Sequence, residues 1–300
     1  MTEWGGVGGK RVVLTGATSG IGLAAAIELA RRGADLTLVA RNQARAAEAV
    51  RRISAASTRS APDVLLADLA SQSSIRQLAG ELLARYPRIQ VLANNAGAIY
   101  ARRQMSTDGI ELTWAVNHLA PFLLTTLLLD RLKASRPARI VTTSSGAHEG
   151  ARVPFDDLNA ERSWGGAGFT RYGQTKLANV LFTVELARRL EGTGVTANAF
   201  HPGFVATGFN RNNGVLMRLG MAISRPFARS PQKGAESLVW LVDSEDATQL
   251  NGAYVFDSRS IPPSPAAQDV EVARRLWQVS EQQTRGSTSH LSSTDANREP

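Results

Sequence analysis

The chain has 300 residues, 43% of them hydrophobic, which suits one large α/β domain or two small ones with a sizeable core. It contains no cysteine, so disulfides, thiolate catalysis and cysteine-based zinc sites are excluded, and a reducing, cytoplasmic setting is expected. The net charge of +8 is spread as isolated arginines and pairs such as Arg31-Arg32 and Arg188-Arg189. With no long basic run and no interleaved aromatics, it reads as solvated surface, and no nucleic-acid partner is expected.

In chain order, Met1 to Gly9 is glycine-rich, lacks an apolar signal core and is expected to be a flexible leader. Short apolar runs then alternate with stretches of helical period. Strands are predicted at Arg11 to Leu14, Leu36 to Ala40, Val64 to Ala67, Ile89 to Ala93, Ile140 to Thr143, Val195 to Phe200 and Ala253 to Phe256. Helices are predicted at Gly20 to Arg32, Gln43 to Ser54, Ser71 to Arg85, Asp108 to Lys133, Arg171 to Leu190 and Glu236 to Val242. Strands that are apolar throughout are buried on both faces. The alternation therefore implies α/β architecture over residues 10–281: a single doubly wound parallel sheet, Rossmann-like, flanked by helices on both faces. The longest apolar stretch, Pro121 to Leu129, is too short for a transmembrane segment. Residues 204–228 break the alternation with an irregular, apolar insert, expected to be a substrate lid. Residues 282–300 are polar and aperiodic, and a disordered tail is expected.

The loop between the first strand and first helix carries Gly16, Thr18, Ser19, Gly20, Ile21 and Gly22. Glycines at this spacing allow a tight turn, close approach of a pyrophosphate and close helix packing, while the helix N-terminus attracts phosphate. The second strand ends at Ala40 and is followed by Arg41 and Asn42, where an NAD site would carry an acid for the ribose 2′-hydroxyl. A guanidinium there suits a 2′-phosphate, so NADP(H) is preferred over NAD(H), with Arg45 assisting.

Tyr172 and Lys176 lie four residues apart in a predicted helix and share a face. The chain has four tyrosines and only four lysines against 30 arginines, so chance placement would give on the order of 0.05 such pairs. An ammonium beside a phenol lowers its pKa from about 10, which equips Tyr172 to pass a proton to or from a substrate oxygen. His148 and His201 are not accompanied by a Gly-x-Ser-x-Gly elbow, and no acidic or histidine cluster has metal-ligand spacing, so no metal is expected.

With these motifs go Asp68-Leu69, Asn94-Asn95-Ala96-Gly97, Asn117, Ser144-Ser145 and Pro202-Gly203. Together they resemble the short-chain dehydrogenase/reductase family over Lys10 to Arg285. The stretches Val116 to Leu119, Ser144 to His148, Tyr172 to Phe182 and Leu276 to Glu281 resemble its retinol-dehydrogenase-like and WW-domain-oxidoreductase-like branch. Ala120-Pro121 departs from the branch, at no catalytic position. The resemblance implies Tyr172 as general acid/base, Lys176 as its modulator and ribose ligand, Ser145 on the substrate oxygen, and Asn117 holding a relay water. It implies cofactor contacts from Asp68, Leu69, Asn95, Ala96, Gly97, Tyr172, Lys176, Pro202, Gly203, Val205 and Thr207. The expected function is NADP(H)-dependent hydride transfer with a small hydrophobic carbonyl or alcohol, as a carbonyl reductase. The alternative is a non-catalytic NADP(H)-binding regulator. The apolar faces of Asp108 to Lys133 and Arg171 to Leu190 suit either pairing between copies in a homo-oligomer or the core of a single subunit.

Overall fold

The computed structural model describes residues 4–162, 164–205 and 228–285. Eight strands form one sheet: β1 (Arg11–Thr15), β2 (Asp35–Ala40), β3 (Asp63–Leu66), β4 (Val91–Asn94), β5 (Ala138–Thr143), β6 (Val195–Phe200), β7 (Tyr254–Phe256) and β8 (Arg259–Ile261). Their order is β3-β2-β1-β4-β5-β6-β7-β8. All pairings are parallel except the last, where β8 turns back antiparallel on β7.

Among the described residues, seven main helices cover the sheet: α1 (Gly20–Arg31), α2 (Gln43–Ser54), α3 (Gln72–Arg85), α4 (Leu112–Ala134), α5 (Phe169–Arg189), α6 (Pro231–Asp243) and α7 (Val270–Thr284). Period-two alternation divides each central strand between two cores. Val12 and Leu14 of β1, with Val91 and Ala93 of β4, join the core under α1 and α6. Val13 and Leu92 face the other way, into the core under α3, α4 and α5. This is the doubly wound arrangement expected. The chain leaves β1 toward β2 and β3, then crosses back to β4, so the strand order reverses between β1 and β4. In such sheets the crevice outside the carboxyl ends at that reversal is where ligands bind.

Residues 4–9 of the expected leader are packed against the domain. Trp4 and Val7 are buried. The Trp4 ring centroid is 4.8 Å from the Lys10 ammonium and 4.0 Å from the Arg139 guanidinium. The backbone N–H groups of Trp4 and Gly5 donate to Glu245, and that of Val7 to Asp243. Arg139 is itself buried and donates to the carbonyls of Leu241 and Ser244, so a glycine-rich stretch is fixed by one aromatic residue packed on a buried cation.

At the other end, residues 282–285, expected in the tail, finish α7. Gln72 donates to the Gln283 carbonyl, Trp114 to the Gln283 side chain and Arg76 to the Thr284 carbonyl. The remaining tail and the expected lid, apart from residues 204, 205 and 228, lie outside the described residues.

The helix predicted from Asp108 starts at Leu112, because Ser106 to Ile110 forms a turn closed by Ser106 N–H on the Ile110 carbonyl. Its second turn, Ala115–Leu119, is π-helical. Leu112–Ala134 is long and apolar enough to cross a membrane by length and composition, and its most apolar window is 72% buried inside the domain. Within the chain, α4 packs against α3, and α5 against α7.

Candidate active site

The loops that follow β1, β4 and β5 meet at the strand reversal. Thr15 joins the first two: its hydroxyl accepts the backbone N–H of Asn95 and of Ala96, each at 3.0 Å. Asn95 Nδ2 donates back to the Thr15 carbonyl at 3.1 Å and the Gly16 carbonyl at 3.3 Å. Asn95 therefore braces the glycine loop. Gly16 has φ +70°, and a β-carbon on it would stand 2.8 Å from Ala96 Cα. One on Gly22 would stand 2.3 Å from the Gly16 carbonyl oxygen, so both positions require glycine.

The N-terminus of α1 is suited to an anion. Asn42, Ser71, Ser230 and Asp269 cap α2, α3, α6 and α7 with side-chain oxygens, whereas Ser19 gives α1 no such cap. The first-turn N–H groups, with the positive end of the helix dipole, fit the pyrophosphate of a dinucleotide. Thr18, Ser19, Gly20 and Ile21 form this rim. Arg41 is exposed at the end of β2, and Arg41 and Asp68 both act electrostatically on the Tyr100 phenol, which places them at one end of the sheet. The Asn42 side chain is taken up as the α2 cap, accepting Arg45 N–H at 2.9 Å. Asp68 accepts Ala70 N–H at 3.0 Å, and Leu69 packs partly into the core.

The loop after β5 and the start of α5 carry the expected chemistry. Ser145 is extended (φ −164°, ψ 153°) and caps a short 3₁₀ turn, Gly146–His148, through its Oγ, which accepts Ala147 N–H at 3.2 Å. Tyr172 hydrogen-bonds with the Ser145 side chain. The Ser144 hydroxyl is engaged elsewhere, donating to the Lys176 carbonyl at 2.8 Å. Lys176 is buried, and its Nζ donates to the Thr143 carbonyl at 3.1 Å, beside Asn179 Nδ2 on the same oxygen.

Asn117 sits in the π-helical turn of α4, a distortion often found at functional positions. Its Oδ1 accepts Ala98 N–H at 2.7 Å, and its Nδ2 donates to the Ala98 carbonyl at 2.8 Å and Thr175 Oγ1 at 3.1 Å. The side chain expected to hold a water is thus engaged in pinning the loop after β4 to α5. A β-carbon on Gly97 would lie 3.4 Å from both Asn117 Oδ1 and Lys176 Nζ, so glycine keeps a gap open before the lysine.

The electrostatics differ from the sequence expectation. Burial pushes the Tyr172 phenol up to about 12, while its Ser145 hydrogen bond pulls it down. Burial brings the Lys176 ammonium down to about 8. Tyr172 keeps part of its surface exposed, yet desolvation still dominates. The ammonium stands 5.3 Å from the centroid of the phenol ring and is turned to the Thr143 carbonyl, so it does not offset the desolvation of either group.

Beyond β6, Gly203 N–H donates to His201 Nδ1 at 3.2 Å, and His201 stacks on Phe256 at 4.1 Å. Val205 is buried and faces Gly234 of α6, where a β-carbon would strike it at 2.6 Å and Ile21 at 3.3 Å. Val205 thereby joins the glycine-loop side of the crevice, with Pro202 and Gly203 before it. Thr207 lies outside the described residues.

Three contributors escaped the sequence reading. Gly173 lets α5 approach the turn after Ser145, and its place inside the Tyr172–Lys176 motif was a usable signal. Glu111 and Arg171 form a wholly buried ion pair at 2.7 Å, joining the start of α4 to that of α5. They stand 60 positions apart, so no local pattern links them.

A parallel sheet with an uncapped glycine-loop helix at its reversal, and a Ser-Tyr-Lys group beside it, defines a dinucleotide-dependent oxidoreductase. The chain belongs to the short chain dehydrogenase family, whose sequence model matches residues 10–215, and is an oxidoreductase acting on CH–OH or C=O groups. It is 43% identical over 286 residues to retinol dehydrogenase 14 of Mus musculus, covering 91% of this chain and 85% of that protein. It is 40% identical over 279 residues to a provisionally assigned daunorubicin C-13 ketoreductase of Streptomyces sp. (strain C5), covering 93% and 94%. A short chain dehydrogenase from Burkholderia cenocepacia J2315, crystallised in complex with NADP, superposes with TM-score 0.67 at 27% identity, covering 83% and 96%.

Proposed function

We propose that the protein is an NADP(H)-dependent carbonyl reductase for hydrophobic ketones or aldehydes, able to run in reverse on the corresponding alcohols. The observation that carries this reading is the convergence of Ser145, Tyr172 and Lys176 at the carboxyl end of β5, beside the gap at Gly97. A bound nicotinamide supplies the hydride. Ala147 N–H orients Ser145 Oγ, whose O–H meets Tyr172 and turns to a substrate oxygen when one is bound. Tyr172, kept protonated by burial, gives its proton to that oxygen as negative charge builds there. Lys176 uses one N–H on Thr143, and its other two serve the phenolate left behind and the cofactor ribose. Gly16 to Gly22 would hold the pyrophosphate, Asp68 and Leu69 the adenine, Asn95 to Gly97 the inner ribose side, and Pro202, Gly203 and Val205 the nicotinamide.

The preference for NADP(H) is supported by the exposed Arg41 where an acid would otherwise meet the 2′-hydroxyl, and by the NADP-bound relative. A hydrophobic substrate is supported by exposed Phe169, one turn before Tyr172 on the same helix face, by exposed Phe204, and by the names of the two relatives. The test is NADPH oxidation against a panel of retinoid, polycyclic and simple aromatic carbonyl compounds, with Tyr172→Phe as control. Turnover that drops roughly 10²- to 10⁴-fold in Tyr172→Phe supports the reading. NADPH binding without turnover across the panel overturns it in favour of a non-catalytic binder.

A further inference from the structure

His148 has no part in the chemistry above, yet both its ring nitrogens are engaged and it is buried at 1% exposure. Nε2 lies 3.1 Å from the backbone N–H of Ser264, which can only donate, so Nε2 is the acceptor. The ring hydrogen of the neutral imidazole is then on Nδ1, and it points at the Ser145 carbonyl oxygen, 2.8 Å away. The same carbonyl also accepts the His148 backbone N–H at 3.1 Å. Tyr254 closes the site from β7, with its hydroxyl 3.3 Å from Nδ1 and its ring edge-on at 4.9 Å.

The consequence falls on Ser145. Its hydroxyl is steered by Ala147 N–H and its carbonyl is held twice by His148, so its backbone plane and side-chain direction are fixed together. The anchor for this grip is remote in sequence: Ser264 precedes the 3₁₀ helix Pro265–Gln268 and lies 116 positions from His148.

We propose that His148 is a positioning residue, a neutral imidazole strut from the Ser264 backbone N–H to the Ser145 carbonyl, that holds Ser145 Oγ in register with Tyr172 for the reaction. The proposal rests on the reductase reading of the site. A displacement of about 1 Å at such a group costs on the order of 10²-fold in rate, so the strut acts on turnover rather than on cofactor binding.

The experiment compares His148→Leu, His148→Gln and His148→Asn in the full chain, reading kcat, KM, NADPH dissociation constant and melting temperature. Asparagine places an amide donor near the position of Nδ1. Glutamine places its polar group near that of Nε2, and leucine supplies neither. Leucine and glutamine should lower kcat roughly 10- to 100-fold with NADPH affinity within about twofold, while asparagine stays within about threefold of the parent. The glutamine–asparagine contrast decides the matter even where leucine does not fold. Because His148 acts through Ser145, adding His148→Leu or His148→Gln to Ser145→Ala should cost no more than about twofold beyond Ser145→Ala alone. Loss of the Ser145 hydrogen bond removes a pull that lowers the Tyr172 pKa. That makes Tyr172 a weaker proton donor in His148→Gln as in Ser145→Ala, while the alkaline limb of the pH profile, which belongs to Lys176, should stay in place in both. Multiplicative losses in the double variants, equal losses in the asparagine and glutamine variants, or full turnover in His148→Gln would overturn the proposal. Failure of the reductase reading itself is recognised separately, because the parent would then bind NADPH without turnover, or Tyr172→Phe would keep full turnover.

Discussion

Gly173 lies so close to Ala147 that a β-carbon on it would come within 2.6 Å of the Ala147 carbonyl oxygen. That approach presses the first turn of α5 against the 3₁₀ turn after Ser145, which brings the tyrosine and serine hydroxyls into contact. Since the obstructing atom is backbone, it cannot swing aside. Gly173→Ala should lower kcat by roughly 10²-fold through misalignment, with NADPH binding preserved. Steady-state kinetics with a parallel binding titration checks this, and unchanged kcat would show that the turn can move.

Arg41 is the basis for the cofactor preference. Arg41→Asp replaces a cation for the 2′-phosphate with an acceptor for the 2′-hydroxyl. The ratio of kcat/KM for NADPH over NADH should fall by roughly 10- to 100-fold, equivalent to about 1.4–2.7 kcal/mol of differential binding. An unaltered ratio would transfer the selectivity to other groups, Arg45 first.

The pH profile follows from Lys176. Its pKa of about 8 means that it is charged below that value and loses its charge as pH rises through it. Tyr172, at about 12, remains protonated over the same range. If reduction needs the ammonium, kcat/KM, which reports groups on the free enzyme, should be level below about pH 7 and decline above about pH 8. Lys176→Arg should be slower but lose this limb, because a guanidinium stays charged throughout. A wild-type profile that stays flat to pH 10 would contradict the assignment.

The ion pair of Glu111 and Arg171 tests stability. Both side chains are at most 1% exposed. Glu111 also accepts from Thr113 and Trp114 at the start of α4, and Arg171 lies 4.8 Å over the Trp114 ring. Arg171→Met would leave a buried carboxylate without its counter-charge and should destabilise the fold by roughly 3–5 kcal/mol. The double variant Glu111→Gln/Arg171→Met should recover much of that loss in urea unfolding. No recovery would mean that the arginine contributes through packing.

Legibility followed the range of the forces. The glycine loop and the central strands were readable because turn chemistry and period-two patterning are written within a few consecutive residues. Tyr172 and Lys176 were readable from helical spacing, but their ionisation was not: spacing brings the groups close, while burial and the Thr143 carbonyl decide how each is perturbed. The Asn117 backbone brace and the Glu111–Arg171 pair join residues 19 to 60 positions apart, and composition carries no record of such partners. Residues 4–9 misled for the same reason, since glycine content suggested looseness and one tryptophan contact with Arg139 overruled it.

That contact has a practical side. Trp4 is lodged by the amino ends of β1 and β5, whereas the chemistry is gathered at their carboxyl ends. A fusion partner or surface tether joined ahead of Trp4 departs from the base of the molecule, leaving the crevice open to bulky compounds. Trimming back to Lys10 would strip the aromatic cover from a buried guanidinium, so expression plasmids should keep those few residues.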